Sequence, residues 1–137
     1  MSVVLDASMA IAWLFSAERE EMARAVIRRV TAAGGIVPAH WRLEVANVLL
    51  MAVRSGRCRK DYADRSLERL KRLRLEVDQE TDRQAWGETR RLAREHKLTT
   101  YDAAYLELAL RLKAALASCD RALISAARRS GLEVLGT

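Results

Sequence analysis

Residues 2–15 read SVVLDASMAIAWLF: a short apolar run, one acid, then a longer apolar stretch. Ser2–Asp6 has the make-up of a buried strand, and ASMAIAWLF (7–15) follows at once as a helix. A strand that passes directly into a helix opens a βα unit. If such units recur, the chain builds an α/β fold around a mostly parallel sheet.

They do recur. EREEMARAVIRRVTAA (18–33) is a second helix closed by Gly34 and Gly35, and IVP (36–38) is a very short strand stopped by Pro38. An apolar helix over His40–Val53 ends at Ser55-Gly56, and a charged amphipathic helix runs from about Lys60 to Leu73. RLEVD (74–78) is a third strand, followed by a helix over about Glu80–His96 and another in LTTYDAAYLELALRLK (98–113). AALASCD (114–120) is the fourth strand, RALISAARRSG (121–131) the last full helix and LEVL (132–135) the closing strand. Nothing reads as a repeat or a linker, so residues 1–137 are expected to form one domain.

With 137 residues, half of them hydrophobic, the chain can bury a core without staples. Cys58 and Cys119 lie far apart and lack metal-ligand spacing, which points to neither a disulfide framework nor a zinc site and suits a reducing cytoplasm. The apolar N-terminus lacks a basic leader, and Asp6 interrupts it, so it reads as mature protein. No apolar run approaches a membrane span. The balance of 24 Lys and Arg against 18 Asp and Glu, net +6, favours an anionic partner. Many of these charges, such as Glu20 and Arg24, stand at i, i+4 and equally suit a solvated helix face.

Four acids stand in apolar company. Asp6 and Asp120 each close a strand just before a helix, where ligands of α/β sheets bind, although either could simply cap its helix. Asp102 opens an apolar helix, three residues after Thr99, with the spacing of a capping box. Glu44 sits among Leu43, Val45, Ala46, Val48 and Leu49. Such a carboxylate must be paired, for instance with Arg42, or be protonated or bound to a cation. Asn47, one turn on, could orient it. Ser8 and Ser118, each two residues from an acid, could bond a carboxylate, a bound water or a phosphate. Four carboxylates converging on a dry pocket would call for a hard divalent cation, Mg²⁺ or Mn²⁺.

VVLDAS, WRLEVANVL, LTTYDAAYLELA and SCDRAL, in this order and at these separations, resemble the PIN-domain ribonucleases, and within them the VapC toxins of type II toxin–antitoxin modules. The resemblance covers nearly the whole chain. It implies an α/β/α sandwich, an acidic quartet of Asp6, Glu44, Asp102 and Asp120, and Asn47 and Ser118 as supporting residues. Ser118 stands where threonine is commoner and keeps the hydroxyl. It further implies Mg²⁺- or Mn²⁺-dependent endonucleolytic cleavage of RNA, a homodimer with two sites near one groove, and a VapB antitoxin partner. Asp6, Asp102 and Asp120 would be the principal metal ligands, with Glu44 a further ligand or the general base.

Arg54, Arg57, Arg59 and Lys60 are candidates to hold the RNA backbone, and a solvated loop is the plainer account of them. Trp13, Trp41 and Trp86 could stack on bases or pack in the core. His40 and His96 show no triad partner. Two other classes of function fit parts of the pattern: a non-catalytic RNA- or protein-binding module, and a phosphatase or receiver-like domain using Asp6 as nucleophile, which has Ser8 where a second acid is usual.

Overall fold

The structure, a computed structural model, describes residues 2–136. Strand β1 (Val3–Leu5) is followed by helices α1 (Ala7–Phe15) and α2 (Glu20–Ala33), then β2 (Gly35–Val37), α3 (Trp41–Arg54) and α4 (Lys60–Lys71). The chain continues through β3 (Leu75–Val77), α5 (Thr81–Gln84), α6 (Glu88–His96), α7 (Thr100–Leu112), β4 (Ala115–Ala117), α8 (Arg121–Arg129) and β5 (Val134–Leu135). The five strands form one parallel sheet in the order β3-β2-β1-β4-β5. Each strand is only two or three residues long, and β1, β2 and β4 are buried throughout, which is why they read as unbroken apolar runs.

This order has a direct consequence. From β1 the chain steps outward to β2 and β3, then returns to the other side of β1 for β4 and β5. Right-handed crossovers therefore lay α1–α4 over one face and α5–α8 over the other, giving the α/β/α sandwich. The strand order reverses between β1 and β4, and a crevice opens there beyond their carboxyl ends. Helices α1, α3 and α8 start just after strands, and α7 runs back toward the start of β4. All four direct their N-termini to the same edge.

The core contains Val3, Val4, Leu5, Met9, Leu106, Leu108, Leu116 and Leu123, all fully enclosed. Gly35 is needed for close approach: a Cβ there would lie 2.7 Å from Leu75 Cδ2 and 3.0 Å from Val30 Cγ1. Two expectations change, and one buried acid is new. The helix over Glu80–His96 is two helices, broken at Ala85–Gly87, where Gly87 has a non-helical backbone. β4 ends at Ala117, so Ser118 and Asp120 lie in the turn beyond it rather than on the strand. The apolar α7 carries Glu107 inside the core, held by Arg111 Nε at 2.8 Å.

Arg111 also donates to both oxygens of buried Asp78, at 3.1 and 2.7 Å, and so ties α7 to the end of β3. Burial pushes Asp78 up, but hydrogen bonds from Arg111 and Thr81 outweigh it and hold the carboxyl below its ordinary range. Removing the guanidinium leaves two buried anions facing one another. Arg111→Met is expected to destabilise the fold by about 3–5 kcal/mol in urea unfolding; a loss under about 1 kcal/mol would show that this ionic knot is dispensable.

Candidate active site

A cavity of about 570 Å³ opens at the crevice, and Asp6, Glu44, Asp102 and Asp120 all line it. The topology explains their convergence. Asp6 follows β1, Asp120 precedes α8, Asp102 lies in the first turn of α7 and Glu44 in the first turn of α3. Four helix N-termini surround them, whose exposed amides and dipoles favour negative charge.

The four acids are held differently. Asp6 occupies the N-cap position of α1, yet its side chain makes no capping bond. Instead Oδ2 accepts hydrogen bonds from Ser8 Oγ at 2.6 Å and Ser118 Oγ at 2.7 Å. Those hydroxyls are oriented in turn by the loop after β4: the Cys119 amide donates to Ser8 Oγ at 2.9 Å and the Asp120 amide to Ser118 Oγ at 3.0 Å. Asp120 caps α8 through Oδ1, which accepts from the Leu123 amide at 2.9 Å. Thr99, rather than Asp102, caps α7, its Oγ1 accepting from the Asp102 amide at 3.1 Å.

Glu44 pairs with neither Arg42 nor Asn47. Its Oε1 accepts from the Tyr105 hydroxyl at 2.7 Å and lies 3.0 Å from His40 Nε2, which is also 3.2 Å from the Tyr101 carbonyl oxygen. Both neighbours of Nε2 are acceptors, so that nitrogen carries the hydrogen. Asn47 is exposed and outside the cavity lining, so its expected supporting contact is absent. Among the described residues, Asp6 Oδ1, Glu44 Oε2 and Asp120 Oδ2 have no hydrogen-bond donor. Three acids are thus each fixed by one oxygen and leave the other free.

Close packing of like charge shows in the acidities. Burial, opposed by the two serine hydroxyls and reinforced by the charges of Asp102 and Glu44, pushes Asp6 up to about 6. Burial and then the charges of Asp120 and Glu44 also raise Asp102. Tyr105 is raised by burial and by Asp6 and Glu44, so it stays a neutral donor. Among the described residues no three His, Cys, Asp or Glu side chains close on one point as a ready-made metal cage. All-oxygen carboxylate donors at wider spacing still fit a hard cation that keeps part of its water shell and is held partly through those waters.

The basic candidates separate. Arg57 lines the cavity, with its guanidinium 4.5 Å from the Phe15 ring centroid. Arg59 lines an adjoining hollow, Arg54 lines neither, and Lys60 is engaged with Asp64 at 2.7 Å. Trp41 is buried, Trp13 lies under the Arg69 guanidinium and Trp86 is 90 % exposed. Sequence reasoning missed His40, Tyr105 and Arg19, another residue of the lining. Two had a signal: His40 stands at i−4 from Glu44, and Tyr105 at i+3 from Asp102, on the same helical face.

A crevice of carboxylates at the switch point of a five-stranded parallel sheet defines a class of acidic-site α/β domains. The PIN domain family matches residues 3–129, and the chain belongs to that family. It is 34% identical over 127 residues to Ribonuclease VapC3 of Pyrobaculum aerophilum, covering 90% of this chain and 92% of that one. The fold is shared with PAE2754 of the same organism (TM-score 0.70, 24% identity, 98% of this chain and 91% of that one). It is shared too with a chain of VapBC2 from Rickettsia felis bound to a promoter DNA fragment (TM-score 0.67, 13% identity, 99% and 98%).

The acidity of Asp6 fixes a pH dependence. Unfolded, it ionises near 4 like any aspartate; folded, it ionises at about 6. The folded state therefore binds the proton more tightly, and this contribution to stability is complete below about pH 4 and lost as pH rises through about 6. Metal-free protein is expected to lose about 1.4 kcal/mol between pH 5 and 8 in urea unfolding. Asp6→Asn should flatten that profile; an unchanged slope would show that Asp6 is ionised throughout.

Proposed function

We propose that the chain is an endoribonuclease toxin, acting in the cytoplasm as a single-domain PIN nuclease and neutralised by a VapB-type antitoxin. The observation that carries the reading is the set of four carboxylates from four helix starts around one cavity, three of them tethered by one oxygen only. The ribonuclease name of the 34%-identical relative supports RNA as the substrate. The VapBC2 complex, a toxin–antitoxin assembly of the same fold, supports the antitoxin partner.

Asp6, Asp102 and Asp120 would hold Mg²⁺ or Mn²⁺, directly or through water. When bound, the cation neutralises phosphate oxygens and makes a water nucleophilic at neutral pH. Ser8 and Ser118 fix the plane of the Asp6 carboxylate. Tyr105 and His40 hold Glu44 by one oxygen, which leaves the other to serve as a further ligand or as acceptor of the proton from the attacking water.

The same reading includes a homodimer. Leu43 is 75 % exposed beside Glu44, Tyr101 is 65 % exposed beside Asp102, and Trp86 stands out nearby on the α5–α6 turn. Together with Leu50 and Met51 on α3 they make an apolar surface suited to a second copy, which would bring two acidic sites together.

Purified protein incubated with labelled total RNA is expected to cut it with Mg²⁺ or Mn²⁺, not with EDTA. Asp102→Asn should lower the rate at least about 100-fold. If wild type and variant leave RNA equally intact while both bind it, a non-catalytic binding module replaces the nuclease. For Glu44→Gln, weakened Mn²⁺ affinity marks a ligand; unchanged affinity with lost turnover marks the base. Leu43→Asp with Trp86→Asp should halve the mass seen in sedimentation, and a wild-type monomer would remove the dimer from the proposal.

A further inference from the structure

The cavity that holds the carboxylates also carries cations. Ile11, Ala12 and Phe15 of α1 and Val48 of α3 give it an apolar part, and Arg19, which reaches the Cys119 thiol, and Arg57 line it as well. Arg57 is laid over the Phe15 ring, a contact that orients a guanidinium while its N–H groups stay available. Arg24, Arg29, Arg65, Arg83, Arg91 and Arg111 are all committed to carboxylates. Among the described residues neither Arg19 nor Arg57 has an acidic partner within salt-bridge distance. Phe15 and Arg57 also line a neighbouring hollow with Arg59 and Tyr62, where Arg65 is paired with Asp61.

We propose that Arg19 and Arg57 form an anion subsite that grips the RNA phosphate next to the one being cut, with the intervening nucleotide lying on the floor of Ile11, Phe15 and Val48. The proposal rests on the nuclease reading and gives the strand a direction: from the carboxylates along α1 toward the loop after α3. RNA suits this cavity because its phosphates repeat along the strand. One is placed at the acidic end, where a cation would compensate it, and the next meets guanidinium groups that no carboxylate engages. The apolar floor between them matches the less polar faces of a base and ribose. An acidic peptide would match the arginines alone.

The test uses the full chain carrying Arg19→Gln and Arg57→Gln, with Arg57→Lys as the variant that keeps charge but loses the flat fork. Both arginines are exposed, and unchanged thermal unfolding would establish that the variants fold. In EDTA, where nothing is cut, fluorescence anisotropy with a single-stranded RNA should show roughly tenfold weaker binding by the double variant. The slope of log affinity against log salt should be shallower by about 0.7, the loss of one phosphate contact. With metal, KM should rise about tenfold while kcat holds, the split expected for lost ground-state binding. Oligonucleotides with one neutral methylphosphonate linkage walked past the cut site should show interference next to the cut in wild type and none there in the double variant.

Equal affinity, salt slope and interference in the two proteins would overturn the subsite and leave the nuclease intact, provided Asp102→Asn still abolishes cutting. If no RNA is cut under any condition, the nuclease reading fails, and the EDTA binding arm still decides the subsite. Loss of antitoxin affinity with unchanged RNA binding would assign these arginines to the protein partner and overturn the proposal.

Discussion

Mutual repulsion among four carboxylates is the constraint around which this molecule is organised. Parallel strands and antiparallel return helices bring the acids to one sheet edge, where among the described residues neither lysine nor arginine pairs with any of the four. The fold answers with partial dipoles and tethers. Helix starts aim amides at the crevice, two serine hydroxyls clamp one oxygen of Asp6, and a tyrosine and a histidine clamp one oxygen of Glu44. The tethers hold the carboxylates in place and leave one oxygen each of Asp6, Glu44 and Asp120 without a donor among the described residues.

The tethers also make the site a property of the whole sheet. Asp6 belongs to β1, but its geometry is set by amides and a hydroxyl from the loop after β4. Glu44 belongs to α3, and its partner Tyr105 comes from α7 on the opposite layer. Arg111 then locks α7 against the end of β3. A displacement of α7 would move Asp102, the Tyr105 donor and this ionic lock together.

Much of this was legible in the chain itself. The buried strands are continuous apolar runs, so VVL and ALA could be placed from composition alone, and an acid after each is a local signal. The quartet emerged because apolar neighbours make a charged residue conspicuous. What failed had physical reasons. The break at Ala85–Gly87 sits in a stretch whose helical pattern is continuous around it, and a lone glycine is often tolerated within a helix. Asn47 shares a helical face with Glu44 in spacing, yet Glu44 turns toward α7, a choice that only the tertiary partner Tyr105 makes. Asp120 was placed on a strand because periodicity does not show where sheet pairing stops. Arg19 gave no local signal at all, since its position beside the cavity depends on how α1 and α2 are joined.

The central position of β1 has a consequence for synthesis. Its two neighbours are β2, about thirty residues later, and β4, more than one hundred residues later. A ribosome-bound chain lacking residues 115–120 has neither the second flank of β1 nor the Ser118 hydroxyl that fixes Asp6. Contacts so distant along the sequence form late and together. A crevice that depends on them is complete only once residues 115–120 have joined the sheet beside β1.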